Sequence, residues 1–291
     1  MSRPAPKKGT HYQMSGTGCF VLVGSQRSGT NFFREVLNTN PQAAVHGEVL
    51  WPYPAANVWH NYIRTTAVAP VPPKDPREAS TLVDDYLVYL VDDTRRSWTS
   101  KGDTLGMVGV DIKYNQLRYI APLTWGLAEK PFLLRYLGDR NIPIVHMIRE
   151  NIVKQALSLT IAEARNVYHN YAGETFDTKL EITPKRLLQF CHWVYDERSE
   201  FEKLSAECSM LTVTYEAVAA ACAAPGADGS LAGHQVMRDL SDFLGVENAF
   251  RNPTSIKKVI NRPYSEILTN YKEIVKALKG TKFERFAADL N

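Results

Sequence analysis

The run Phe20-Val-Leu-Val-Gly-Ser-Gln-Arg-Ser-Gly-Thr30-Asn-Phe-Phe-Arg34 constrains this chain more than any other. An apolar stretch stops at Gly24, a polar turn containing glycine follows, and a helical pattern opens at about Thr30. That is a strand, a phosphate-cradling loop and a helix N-terminus. Backbone N–H groups converge in such a loop, and the positive end of the helix dipole lies behind them, so the loop binds anions. Gly24 and Gly29 stand at G-x-x-x-x-G spacing, but Thr30-Asn31 follows where an ATP-hydrolysing loop has Lys-Ser/Thr. The cation is inside the loop instead, at Arg27. The segment from Ser25 to Asn31 offers successive N–H donors, hydroxyls at Ser28 and Thr30, and a guanidinium whose planar fork suits phosphate or sulfate. The expectation is a phosphate loop that does not serve ATP or GTP chemistry; the bland alternative is an ordinary polar turn between strand and helix.

Short apolar runs recur at 19–23, 107–112, 142–148 and 210–213, with a weaker one at 43–46. Helical patterns lie between and after them, at 30–38, 80–97, 151–166, 184–206, 234–244 and 264–278. Strands of this length alternating with helices predict an α/β fold with a parallel sheet covered on both faces. Residues 51–76, rich in proline and aromatics, read as an ordered excursion, and 223–233 as a flexible surface loop. Residues 1–17 read as a flexible lead and 18–291 as a single domain.

A hydrophobic content of 44% supports a core, and a net charge of +3 is too small to argue for a nucleic-acid partner. Cys19, Cys191, Cys208 and Cys222 show no metal-ligand spacing, as expected of reduced thiols in a cytoplasmic protein. No signal-peptide core is seen, and no run approaches the ~18 apolar residues of a membrane span. A soluble protein without membrane attachment is expected, and a homodimer is compatible with it.

Two further constellations carry chemistry. The strand pattern 142–148 ends in Arg149, at the carboxyl end where open α/β sheets bind ligands, and Ser158 follows about two turns into the next helix. Alternatively, Arg149 pairs with Glu150 or caps a neighbour. The strand pattern at 210–213 runs into Thr214-Tyr215-Glu216, where a tyrosine can lie against a base and offer its hydroxyl. A core tyrosine beside a helix-capping glutamate is the equal alternative.

In this order and spacing, the three constellations resemble the sulfotransferase family, which uses 3′-phosphoadenosine-5′-phosphosulfate (PAPS) and releases the bisphosphate PAP. The likeness is greatest to bacterial carbohydrate-type sulfotransferases, the trehalose and nodulation-factor branches included. There a Gln-Ala-x-Ser sequence follows the arginine, as Gln155-Ala-Leu-Ser158 does here. The tail segments 265–271 and 278–281 are similar to that group too, and the resemblance spans about residues 18–285. It implies a P-loop-type three-layer sandwich and a transferase that moves a sulfuryl group from PAPS to a hydroxyl, less readily an amine, of a small acceptor such as a saccharide or a polar natural product. It assigns Gln26, Arg27, Ser28, Gly29, Thr30 and Asn31 to the 5′-phosphosulfate, Arg149 and Ser158 to the 3′-phosphate, and Tyr215 to the adenine. No metal is implied.

The chain departs from the cytosolic animal enzymes in two ways. Their spacing from arginine to serine is one residue shorter. Their Lys-Thr-His element is replaced by Val110-Asp-Ile-Lys113-Tyr-Asn115, so Lys113 corresponds to the lysine and Asn115 takes the histidine's place. Another group must then accept the acceptor's proton. Glu48, in His46-Gly-Glu48-Val-Leu50, resembles the catalytic glutamate of carbohydrate-type enzymes; His46 is the second candidate. Aromatic faces suit sugars and cationic groups, which makes Trp51, Tyr53, Trp59, His60 and Tyr168 candidates for the acceptor wall, with packing as the alternative. Lys257, Lys258 and Arg262 are candidates for reaching back to the nucleotide. Two other functions fit less of the pattern: a nucleotide or small-molecule kinase with a degenerate loop, and a non-catalytic PAP-binding protein.

Overall fold

The computed structural model describes residues 13–14, 17–51, 58–66, 75–98, 104–120, 130–166, 179–253 and 262–290. Strand β1 (Gln13–Met14) precedes β2 (Thr17–Gly24), α1 (Thr30–Asn38) and β3 (Ala43–Glu48). Helices α2 (Trp59–Thr66) and α3 (Pro76–Ser97) lead to β4 (Met107–Lys113), and α4 (Phe132–Asp139) leads to β5 (Ile144–Ile148). Helices α5 (Ile152–Arg165) and α6 (Pro184–Leu204) then precede β6 (Met210–Thr214). The chain continues through α7 (Tyr215–Ala223), α8 (Gln235–Leu244), α9 (Tyr264–Ile267) and α10 (Tyr271–Leu278).

Five strands lie parallel in the order β3-β4-β2-β5-β6. The two residues of β1 add antiparallel to the start of β2, so the sheet begins inside the segment read as a lead. Along β2 the side chains alternate. Cys19, Val21 and Val23 enter one apolar cluster with α3 and α4, while Phe20 and Leu22 enter a second with α1, α7 and α8. Both faces are therefore covered, which is why the strands read as continuous apolar runs rather than alternating ones. A third cluster joins α5 and α6 to the C-terminal residues Tyr264, Ile267, Ile274, Leu278, Phe283 and Leu290. This is the expected α/β sandwich of the P-loop type.

The sequence reading predicts no helix at α2, α4 or α7, and it differs in the start of α3 and in the pattern at 264–278. Helix α3 starts before residue 80, because Asp75 accepts from the N–H groups of Arg77 and Glu78 while Pro76 takes the first helical position. Helix α4 was not expected; it buries Phe132, Leu133, Leu134, Tyr136 and Leu137 within eight residues, too apolar all round to show a helical period. The pattern at 264–278 is two helices. Between them Leu268 is extended and the chain pairs with Leu180, Leu180 N–H donating to Ile267 O at 2.8 Å and Thr269 N–H to Leu180 O at 2.9 Å. No helix among the described residues is long and apolar enough to cross a membrane.

Candidate active site

The sheet register sets the strand ends level. Gly24 of β2 pairs with Lys113 of β4 and Met147 of β5, Ile148 pairs with Thr214 of β6, and Glu48 of β3 pairs with Asp111 of β4. The loop after β2 thus emerges at the middle of the sheet, where the chain goes to β3 on one side and later to β5 on the other. Ligands of open α/β sheets sit at such a switch point.

The loop folds back on itself tightly. Ser28 donates through both its N–H (3.3 Å) and its hydroxyl (2.8 Å) to Ser25 O. Arg27 is left-handed at φ 61° and Gly29 at φ 100°. A Cβ at Gly29 would meet Tyr215 Cδ2 at 2.5 Å, so Tyr215, the residue after β6, lies directly against the loop. Helix α1 begins at Gly29 with no side-chain cap and no acidic residue in its first turn. Its N-terminal end therefore keeps its positive character.

Helix α5 holds this loop from the side. Gln155 and Ser158 are one helical turn apart and face the same way. Arg27 donates to Ser158 Oγ from Nε at 3.1 Å and from Nη2 at 3.0 Å. The Gln155 amide donates to Ser25 Oγ and, at 2.7 Å, to Gln26 O. Arg149, at the end of β5, stands over the Tyr215 ring at 4.9 Å, and its Nε makes no hydrogen bond among the described residues. Arg198 of α6 donates to Arg149 O at 2.6 Å. Burial first, and the nearby Arg149 charge second, hold the Arg27 guanidinium below its ordinary pKa. Burial raises the pKa of the Tyr264 phenol, while the nearby Arg149 and Arg27 charges pull it back. Glu216 accepts from the N–H groups of Glu150 (3.0 Å) and Asn151 (3.4 Å), which ties the start of α7 to the segment carrying Arg149.

On the other side of the loop is the end of β4. Lys113 Nζ, 4% exposed, donates to Thr30 Oγ1 at 2.6 Å and to Asp111 Oδ1 at 2.6 Å, and Glu48 Oε1 lies 3.7 Å away. The wholly buried Asp111 offsets the cost of burying that ammonium. Gln116 Nε2 donates to Glu48 Oε2 at 3.2 Å, and Gln116 Oε1 accepts from Lys113 N–H at 2.9 Å. The residue beside Glu48 is therefore Gln116; Asn115 is exposed.

The structure brings together Gln26, Arg27, Ser28, Gly29, Thr30, Lys113, Glu48, Arg149, Ser158 and Tyr215, with Asn31 in the first turn of α1. It takes His46 elsewhere. A register shift between His46 and Glu48 separates their directions, and His46 Nε2 bonds Thr94 Oγ1 of α3 at 2.6 Å. Burial holds the His46 pKa below its ordinary value, against a smaller opposing pull from Asp93. Trp59 packs into the first core cluster, its ring 5.1 Å from that of Tyr86. His60 is exposed and Trp51 half-buried. Tyr53, Tyr168, Lys257 and Lys258 lie outside the described residues. Arg262 lies near Arg165, at the far end of α5 from Arg149. The sequence reading missed Gln155, Asp111, Gln116 and Tyr264 as site residues. Only Gln155 and Asp111 left a signal, at i−3 from Ser158 and i−2 from Lys113.

The fold and site define a P-loop-type α/β protein with three cationic side chains around its loop. No family model matches the chain, and no curated protein matches it. Among solved structures, the chain is similar to a sulfotransferase from Alicyclobacillus acidocaldarius, with 17% identity, 93% of each chain covered and a TM-score of 0.42. It is also similar to the sulfotransferase domain from the Synechococcus PCC 7002 olefin synthase, with 12% identity, 98% of this chain and 97% of that one covered, and a TM-score of 0.42.

Proposed function

We propose that this protein is a sulfotransferase that moves a sulfuryl group from PAPS to a hydroxyl of a small polar acceptor, with Glu48 taking the acceptor's proton. The observation that carries this reading is the placing of two guanidiniums beside an uncapped, acid-free helix start: Arg27 within the loop, and Arg149 over the Tyr215 ring that lies against Gly29. Two guanidiniums there suit a ligand with two separate anionic groups. The lysine that ATP chemistry places after the second glycine is absent. PAPS has that charge pattern, and when bound it supplies a sulfuryl group on a phosphate leaving group. Gly29 gives close backbone approach, and the Tyr215 ring offers a face for the base.

This reading gives each side chain a part. Arg27 and the loop N–H groups hold the 5′ end and stabilise charge on the departing phosphate oxygen. Arg149 and Ser158 hold the 3′-phosphate. Lys113, fixed between Thr30 and Asp111, places positive charge beside the transferring group. Glu48, oriented by Gln116, accepts the proton as the acceptor oxygen bonds to sulfur. In-line displacement with charge spread over peripheral oxygens depends mainly on such positioning and electrostatics.

The test has two parts. Calorimetry should show that PAP binds and ATP does not, and that Arg149→Ala weakens PAP by roughly tenfold or more, the loss of a charge-assisted hydrogen bond. Labelled PAPS, incubated with small-molecule extracts, should yield a sulfated product by mass spectrometry. ATP binding in place of PAP would point to a kinase. Tight PAP binding with no transfer to any of a broad panel of acceptors would point to a non-catalytic binder.

A further inference from the structure

The loop carries three hydroxyls, at Ser25, Ser28 and Thr30, and hydrogen-bond bookkeeping divides them. The Ser28 proton is already given to Ser25 O at 2.8 Å. Thr30 Oγ1 accepts from Lys113 Nζ at 2.6 Å, and an ammonium can only donate, so the Thr30 proton remains to be given. Ser25 is in the same position through Gln155. That side chain is 1% exposed, and its nitrogen faces both Ser25 Oγ and Gln26 O. The amide cannot be turned round, because Gln26 O is a carbonyl and needs a donor. Gln155 therefore donates to Ser25 Oγ and leaves the Ser25 proton free. The cost is visible: buried Gln155 Oε1 has no hydrogen-bond partner among the described residues. A buried acceptor left unpaired is unfavourable, so the contacts of the nitrogen must outweigh it.

We infer that Gln155 is a positioning residue: it makes Ser25 a hydrogen-bond donor to the anion held in the loop, so that Ser25 and Thr30, and not Ser28, are the hydroxyls that grip the 5′-phosphosulfate. This deepens the sulfotransferase reading and rests on it for the identity of the anion. The sequence pointed to Ser28 because it lies inside the motif; Ser25 is assigned by a helix whose Gln155 is 130 residues further along the chain.

The test is a double-mutant cycle read by calorimetry on the full chain, with melting curves to confirm folding. Ser25→Ala and Gln155→Met should each weaken PAP roughly tenfold to a hundredfold, as expected for one hydrogen bond to a charged group. The double variant should bind about as well as the weaker single one, since Gln155 acts on the anion only through the Ser25 hydroxyl. Adenosine 3′-phosphate, which lacks the 5′ group, should bind all variants within about twofold of wild type, and Ser28→Ala should cost PAP less than about threefold. If Gln155→Met does not fold, Gln155→Glu preserves the volume. Its carboxylate accepts the Ser25 proton, so PAP affinity must fall at least as far. Wild-type affinity in either Gln155 variant overturns the inference. So do losses that multiply in the double variant, or equal losses with adenosine 3′-phosphate. If wild type does not bind PAP, the functional reading fails, and the same series with inorganic pyrophosphate then reads the loop directly. Wild type that binds neither probe overturns both.

Discussion

A carboxylate acts as a base only when something holds it against the atom it deprotonates. Gln116 holds Glu48 and Lys113 stands 3.7 Å from it, whereas His46 is tied to α3 through Thr94. Glu48→Gln should therefore lower turnover by about a hundredfold or more, ~2.7 kcal/mol of barrier, with PAP affinity near wild type. His46→Gln should retain turnover; single-turnover rates distinguish the two, and a normal rate in Glu48→Gln removes Glu48 as the base. Gly29→Ala combines left-handed backbone with a Cβ 2.5 Å from the Tyr215 ring. It should cost about 1–3 kcal/mol in urea unfolding. Glu197 on α6 makes a pH prediction. Burial first, and neighbouring Glu200 second, raise its carboxyl to about 7 from an ordinary 4.5. The native state favours the protonated form, so the stability contributed is present below pH 4.5 and is lost as pH rises through 7. Glu197→Gln should raise the Tm relative to wild type at pH 8, and the difference should close by pH 4.5; equal Tm differences at both values would contradict the shift.

Helix α5 organises the site at the scale of elements. Its N-cap, Asn151, accepts from Lys154 N–H at 2.9 Å and donates from Nδ2 to Phe286 O at 3.3 Å. Glu216 accepts at the same end. From there the helix carries Gln155 and Ser158 to the loop. Asn151→Ala should cost about 1 kcal/mol of stability. It should also weaken PAP, because the helix start and Arg149 are held together; chemical denaturation and calorimetry on one preparation check both. This helix was legible in sequence because residues 151–166 hold no proline or glycine to break it. The break between α9 and α10 was not, since it is made by Leu180, a residue distant in sequence. Likewise α4 is apolar on most sides, and its burial comes from the fold rather than from a stripe.

At the scale of the molecule, the third apolar cluster fastens the C-terminal segment to α5 and α6, and through Tyr264 that segment reaches the two arginines. A chain ended at residue 263 should expose the inner faces of α5 and α6, and should lose PAP affinity by more than about tenfold or fail to stay soluble. Size-exclusion chromatography and calorimetry decide this, and a soluble, fully binding fragment would deny the segment its role. The strands, the loop and the cation at Arg27 are determined by the sequence alone. Alternation, glycine spacing and the break at Gly24 act over a few residues, and local sterics and burial suffice to read them. The partners are decided only by the tertiary structure: Arg27 with Ser158, 131 residues away, and Lys113 with Thr30, 83 residues away. Such pairs depend on which strand lies beside which. The order β3-β4-β2-β5-β6 follows from burying both sheet faces at once, so it is a property of the whole chain.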